Sequence, residues 1–123
     1  TTYGSECFNV KENANRNVFA ENECRYNLEP AEFSGSNVEI RGDNNVIEGN
    51  VISESLGANI KLKSDSPEYD KGGNIVRGNT LSHAQKLNIS SEHKGTTICG
   101  NKLDGETQRG TTREAATKPC GKN

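Results

Sequence analysis

The chain has 123 residues, which bounds it to a single domain. Only 29% of it is hydrophobic, Trp and Met are missing, and the mean hydropathy is −0.88, so a thick globular core is excluded. With 15 basic and 17 acidic residues the net charge is −2, no run of one sign is long enough to call for nucleic acid, and no apolar run is long enough for membrane insertion.

The first predicted element is Cys7-Phe8-Asn9-Val10. Phe8 and Val10 share one face, as the period of two requires of a strand. Residues 1–15 read as an N-terminal cap or an incomplete first coil. From residue 16 to 104 one phrase recurs. Asn17-Val18-Phe19-Ala20-Glu21-Asn22 returns as Asn45-Val46-Ile47-Glu48-Gly49-Asn50, then as Asn74-Ile75-Val76-Arg77-Gly78-Asn79. Thr96-Thr97-Ile98-Cys99-Gly100-Asn101 is a fourth copy. The best-kept letter is the closing asparagine, Asn22, Asn50, Asn79 and Asn101, at spacings of 28, 29 and 22 residues. Such a period marks a solenoid.

Between the phrases lie strictly alternating segments: Val38-Glu39-Ile40, Ala58-Asn59-Ile60-Lys61-Leu62 and Leu87-Asn88-Ile89. Val38, Ile60 and Leu87 are expected to stack in one inward file, and Ile40, Leu62 and Ile89 in the next. A third short strand is expected after each asparagine, through Val51-Ile52, Thr80-Leu81 and Lys102-Leu103. The longer periods carry insertions at residues 28–35 and 64–73, both turn-rich. Residues 105–123 form an unrepeated tail, with Arg113-Glu114-Ala115-Ala116-Thr117 able to make one helical turn.

Runs of four to six alternating residues, rich in Val and Ile and punctuated by Asn and Gly, exclude a helical solenoid. The implied fold class is all-β, a small parallel β-helix of about four coils, capped at both ends. Asparagine tolerates left-handed backbone, and its amide can bond the next coil, so the four closing asparagines form a structural ladder. The glycine before each frees the turn, with Glu21 replacing it in the first copy.

Cys7, Cys24, Cys99 and Cys120 show no metal-binding spacing. An even count in a core-poor chain favours disulfides and an oxidising compartment. The chain opens Thr1-Thr2 rather than Met, which reads as a mature, secreted product. Four cysteines allow three pairings. Cys24 takes an inward position of the first coil, so Cys7–Cys24 would pin the N-terminal segment to it. Cys99 faces outward, so Cys99–Cys120 would fold the tail over the last coil.

The repeated Asn-Val-Ile-x-Gly-Asn-x-Ile with its alternating strand resembles the right-handed parallel β-helix, or pectin-lyase-like, superfamily over residues 17–104. The resemblance implies a right-handed solenoid. It also implies an outward basic sheet face that holds an acidic sugar chain, here Arg41, Lys61, Lys63 and Lys86. The outward columns expected are Asn37, Asn59, Lys86; Glu39, Lys61, Asn88; and Arg41, Lys63, Ser90. Glu39 facing Lys61 would otherwise be an ordinary cross-strand pair on a solvated face.

Catalytic signals are thin. A lyase would use calcium as cofactor, and Asp65, Glu68 and Asp70 share one loop without a recognised spacing. A hydrolase needs two facing carboxylates, and Glu39 and Glu48 make no obvious pair. His83 and His93 stand in turns. Asn88-Ile89-Ser90 is a glycosylation sequon whose acceptor is expected to face outward. The expected role is a secreted, non-catalytic protein that binds a polysaccharide or a host surface protein, an effector-like part. The alternative is a minimal pectate-type lyase acting through Arg41, Lys61, Lys63 and Lys86.

Overall fold

The computed structural model describes residues 7–10, 14–24, 38–55, 57–63, 72–84, 87–92, 95–104, 108–109 and 111–121. Three strands recur in each coil. The first coil carries β1 (Phe8–Val10), β2 (Val18–Ala20) and β3 (Glu23–Cys24). The second carries β4 (Val38–Ile40), β5 (Val46–Glu48) and β6 (Val51–Ser53); the third, β7 (Ala58–Leu62), β8 (Ile75–Arg77) and β9 (Thr80–Ser82). The fourth has β10 (Leu87–Ser91), β11 (Thr97–Cys99) and β12 (Lys102–Leu103), followed by β13 (Gln108–Arg109) and the helix α1 (Arg113–Thr117). All pairings are parallel, between successive coils, and make three sheets. Sheet 1 runs β1-β4-β7-β10-β13, sheet 2 β2-β5-β8-β11 and sheet 3 β3-β6-β9-β12. The chain is a parallel β-helix of about four coils.

Inward residues stack file on file. Phe19, Ile47, Val76 and Ile98 line sheet 2, and Cys24, Ile52, Leu81 and Leu103 line sheet 3. Ile40, Ile47, Ile52, Ile60, Leu62, Leu81 and Ile89 are fully buried. Burying each such side chain contributes about 1.5–3 kcal/mol, which lets a thin core hold a polar chain together. Phe8 and Phe19 stack with ring centroids 4.4 Å apart at the N-terminal end of this core.

The asparagines form the ladder expected of them. Asn22, Asn50 and Asn79 each donate the backbone N–H to Oδ1 of the next ladder asparagine, at 2.8, 2.9 and 2.9 Å. The residue before each adopts a left-handed conformation: Gly49, Gly78 and Gly100, and Glu21 at φ 56°. A second ladder stands at the other end of sheet 2, where Asn17 and Asn45 donate to Oδ1 of Asn45 and Asn74 at 2.9 Å each. These asparagines open the repeated phrase. Their predecessors Arg16, Asn44 and Gly73 are left-handed as well. A third left-handed corner holds Glu54 and His83.

Both expected disulfides are present: Cys7–Cys24, with Cα atoms 6.1 Å apart, and Cys99–Cys120, at 5.1 Å. They place the chain in an oxidising, non-cytoplasmic setting. Cys7–Cys24 closes the first coil on itself, because β1 is that coil's own strand in sheet 1 and pairs with β4. Cys99–Cys120 holds the tail against the last coil, where α1 packs over β11 and β12. No helix among the described residues is long and apolar enough to cross a membrane.

One expected register is corrected. Ile89, not Leu87, lies beside Ile60, and Leu87 lies beside Ala58. The files are therefore Val38-Ile60-Ile89 and Ile40-Leu62-Ser91. The side-chain amides decide this: Asn59 Nδ2 donates to Asn88 Oδ1 at 2.9 Å and to Ser82 O at 2.9 Å, which pins the two strands two residues from the expected alignment.

Candidate functional site

The outer face of sheet 1 carries the basic candidates. In the observed register Glu39, Lys61 and Ser90 form one column. Beyond the strands the ladder continues, with Lys63 N–H to Ile40 O at 2.9 Å and Glu92 N–H to Leu62 O at 2.7 Å. Arg41, Lys63 and Glu92 therefore make the next column. The corrected register brings Glu92 into the place expected for Ser90, so acid and base interleave on this face.

Arg41 and Glu39 are two residues apart on one face of the chain, and they are joined. Arg41 Nε and Nη2 both reach Glu39 Oε2 at 2.7 Å. Glu39 is only 1% exposed. A buried carboxylate is costly without a charged, hydrogen-bonding partner, and the guanidinium supplies one. Arg41, about one-third exposed, is thus held in a fixed direction by its own strand. Lys61 is half-buried and Lys63 is exposed. These three cations come together. Lys86, the fourth, lies outside the described residues.

Part of this face is covered. Besides Glu39, the outward residues Asn59, Asn88 and Ser90 are buried. Asn88 keeps its outward position but is only 4% exposed and its Oδ1 accepts from Asn59 Nδ2, so a glycan there would require the amide pair to open. The open part of the face is its downstream edge, around Lys61, Lys63 and Glu92.

The other candidates do not converge. Asp65, Glu68 and Asp70 lie outside the described residues, as does His93. Glu39 and Glu48 belong to different sheets, and Glu48 is bound to Arg77 at 2.8 Å. His83 is exposed and stands 3.8 Å from Asp104. Among the described residues no three His, Cys, Asp or Glu side chains gather as a metal site.

Two hollows have no counterpart among the sequence-based expectations. A groove of about 410 Å³ runs along the corner of sheets 2 and 3, lined by Glu21, Glu48, Arg77, the turn glycines and Cys120. Its signal in the sequence is the glycine before Asn50, Asn79 and Asn101, which leaves a strip without side chains there. The other, about 630 Å³, lies between α1 and β12, beside Lys102, Arg113 and Glu114.

No protein-family model, curated protein or solved structure matches this chain. The functional reading therefore rests on the geometry of the faces.

Proposed function

We propose that this chain is a secreted, non-catalytic binding protein that takes an acidic polysaccharide along the downstream edge of sheet 1. The observation that carries this reading is the alignment of Arg41, Lys61 and Lys63. Lys61 and Lys63 project from one strand about 7 Å apart, and Arg41 stands beside Lys63 on the neighbouring strand, about 4.8 Å away. The strands beneath are hydrogen-bonded coil to coil, so three cations are presented on a rigid frame and little ordering is needed on binding. Glu39 orients Arg41 for a carboxylate from outside. Membership of the pectin-lyase-like superfamily belongs to the same proposal and rests on the repeat.

The test is retention on immobilised polygalacturonate against a neutral polysaccharide, over a salt series. The wild type should be retained on the acidic matrix alone and released by salt, with Lys61→Ala/Lys63→Ala released earlier. Equal retention of the double variant sinks the proposed face. The same mixtures, with added calcium, are followed for absorbance of unsaturated sugar product; a rising signal would replace the binding reading with the lyase one.

A further inference from the structure

The two ends of the solenoid are finished differently. At the C-terminal end the ladder is closed within the chain. Asn101 donates its N–H to Ala116 O at 3.0 Å, and Gly100 donates to Lys118 O at 2.6 Å, so α1 and the residue that follows it supply the carbonyls that a further coil would. At the N-terminal end no described strand pairs with the outer edge of sheet 2. Asn17 and Asn22 are exposed, whereas their counterparts Asn45 and Asn50 are buried. No described donor reaches Oδ1 of either. Val18 is 62% exposed, and Phe19 is only partly covered.

The direction of the backbone groups along β2 is set by its pairing. Asn17 spends its N–H on Asn45 Oδ1 and its carbonyl on Val46 N–H, both in the second coil. By strand alternation, Val18 and Ala20 aim N–H and C=O away from that coil, toward the outer edge. Ala20 O also accepts from Asn22 Nδ2 at 2.8 Å and keeps a second lone pair.

We propose that this edge pairs antiparallel with β2 of a second copy, about a two-fold axis through Phe19. Val18 then faces Ala20 of the second copy and exchanges N–H and C=O with it, and the symmetry repeats the exchange, giving four bonds. The inward Phe19 meets its own equivalent, so faces match: apolar inward residues stay inward and Val18 and Ala20 stay outward.

Charge selects this direction. The left-handed corners that flank β2 are Arg16 before it and Glu21 after it, both exposed. The equivalent corners of the inner coils are neutral: Asn44, Gly73 and Gly95 on one side, Gly49, Gly78 and Gly100 on the other. An antiparallel pair sets Arg16 beside Glu21 and Asn22 of the second copy, where Asn22 Oδ1 can accept from the guanidinium. A parallel arrangement would set like beside like. Head-to-tail growth is blocked by α1 and by β13, which already occupy the other end. Two-fold contacts of this kind are self-complementary and close at two copies.

The experiment is sedimentation equilibrium of the full chain over a concentration series. The wild type is expected to reach a dimer at the upper end. Val18→Pro removes one edge-facing N–H from each copy and should remain a monomer. Arg16→Glu should weaken the dimer, and Arg16→Glu/Glu21→Arg should restore it, because the reversed charges still meet antiparallel. A wild type that stays monomeric throughout overturns the proposal, as does a dimer that Val18→Pro leaves intact. So does a double variant that associates no better than Arg16→Glu alone; this arm reads the geometry even where the proline variant does not fold.

Discussion

Asn101 and Ala116 show how the ladder ends: the asparagine donates both its backbone N–H and its Nδ2 to the helix carbonyl, at 3.0 and 3.2 Å. Every inner rung instead meets an asparagine. The ladder is thus a continuous chain of amides, exposed at Asn22 and buried from Asn50 onward, with a backbone carbonyl as its last acceptor.

The rungs should differ in worth with depth. Asn79→Ala removes the acceptor for Asn50 N–H and Nδ2, and the Nδ2 that serves Ile47 O at 3.0 Å. Leaving buried groups unpaired costs about 1–3 kcal/mol each, so a loss of at least about 3 kcal/mol is expected. Asn22→Ala, at the exposed end, should cost less than about 1 kcal/mol. Urea unfolding of both variants checks the gradient; equal losses would mean that the ladder is not what holds the coils.

Glu21 is a non-glycine residue where the other coils have glycine, at φ 56°. Left-handed backbone costs a residue with a Cβ about 1 kcal/mol. Glu21→Gly should therefore stabilise by up to about 1 kcal/mol, or raise the melting temperature by about 4 °C. Gly78→Ala should do the reverse. A Cβ there would meet Gly49 N at an ordinary 3.7 Å, so the loss measures the backbone conformation and not a clash. Thermal unfolding followed by circular dichroism decides both.

The Cys99–Cys120 bridge closes a 21-residue separation. Loss of that constraint costs about 3 kcal/mol on the chain-entropy account. Cys99→Ser/Cys120→Ser should lower stability by that order. It should also speed hydrogen exchange at Asn101 N–H, whose acceptor is on α1. Unchanged exchange there would show that Ala116, fully buried against the core, holds the helix without the bridge.

Binding of an acidic polysaccharide should fall by about fivefold for Lys63→Ala, which corresponds to roughly 1 kcal/mol. Arg41→Ala should weaken binding and also destabilise the fold, because it leaves the buried Glu39 without its guanidinium. Glu39→Gln/Arg41→Ala relieves that burden, so stability should recover while binding does not. Isothermal titration together with urea unfolding separates the two effects.

The periodic parts of this protein are legible without coordinates. Val38, Ile40, Ile47, Ile52, Ile60 and Leu62 declare inward files by strict alternation. Gly49-Asn50 and Gly78-Asn79 declare a turn, because the glycine takes its left-handed backbone and the asparagine amide bonds the next coil. The pairing of Cys24 with Cys7 is suggested by Cys24 falling on the Ile52 position. The second ladder, Asn17, Asn45 and Asn74, is equally visible as letters, but its role is concealed by its position at the head of the phrase.

Residue order alone settles the coil: which residues turn, which face inward, and that strands stack in parallel. These are local chemistry repeated at a period. The register of β10 and the state of the outer face arise only in three dimensions. A slip of two residues keeps every side chain on its proper face, so alternation cannot tell Leu87 from Ile89 as the neighbour of Ile60. The Asn59–Asn88 amide pair can, since it exists in only one register. Burial of Glu39 and Asn88 on an outward face likewise depends on what packs there, which no periodicity encodes. The ladder asparagines are scaffold already in the sequence; the faces around them take their character from contacts between residues far apart in the chain.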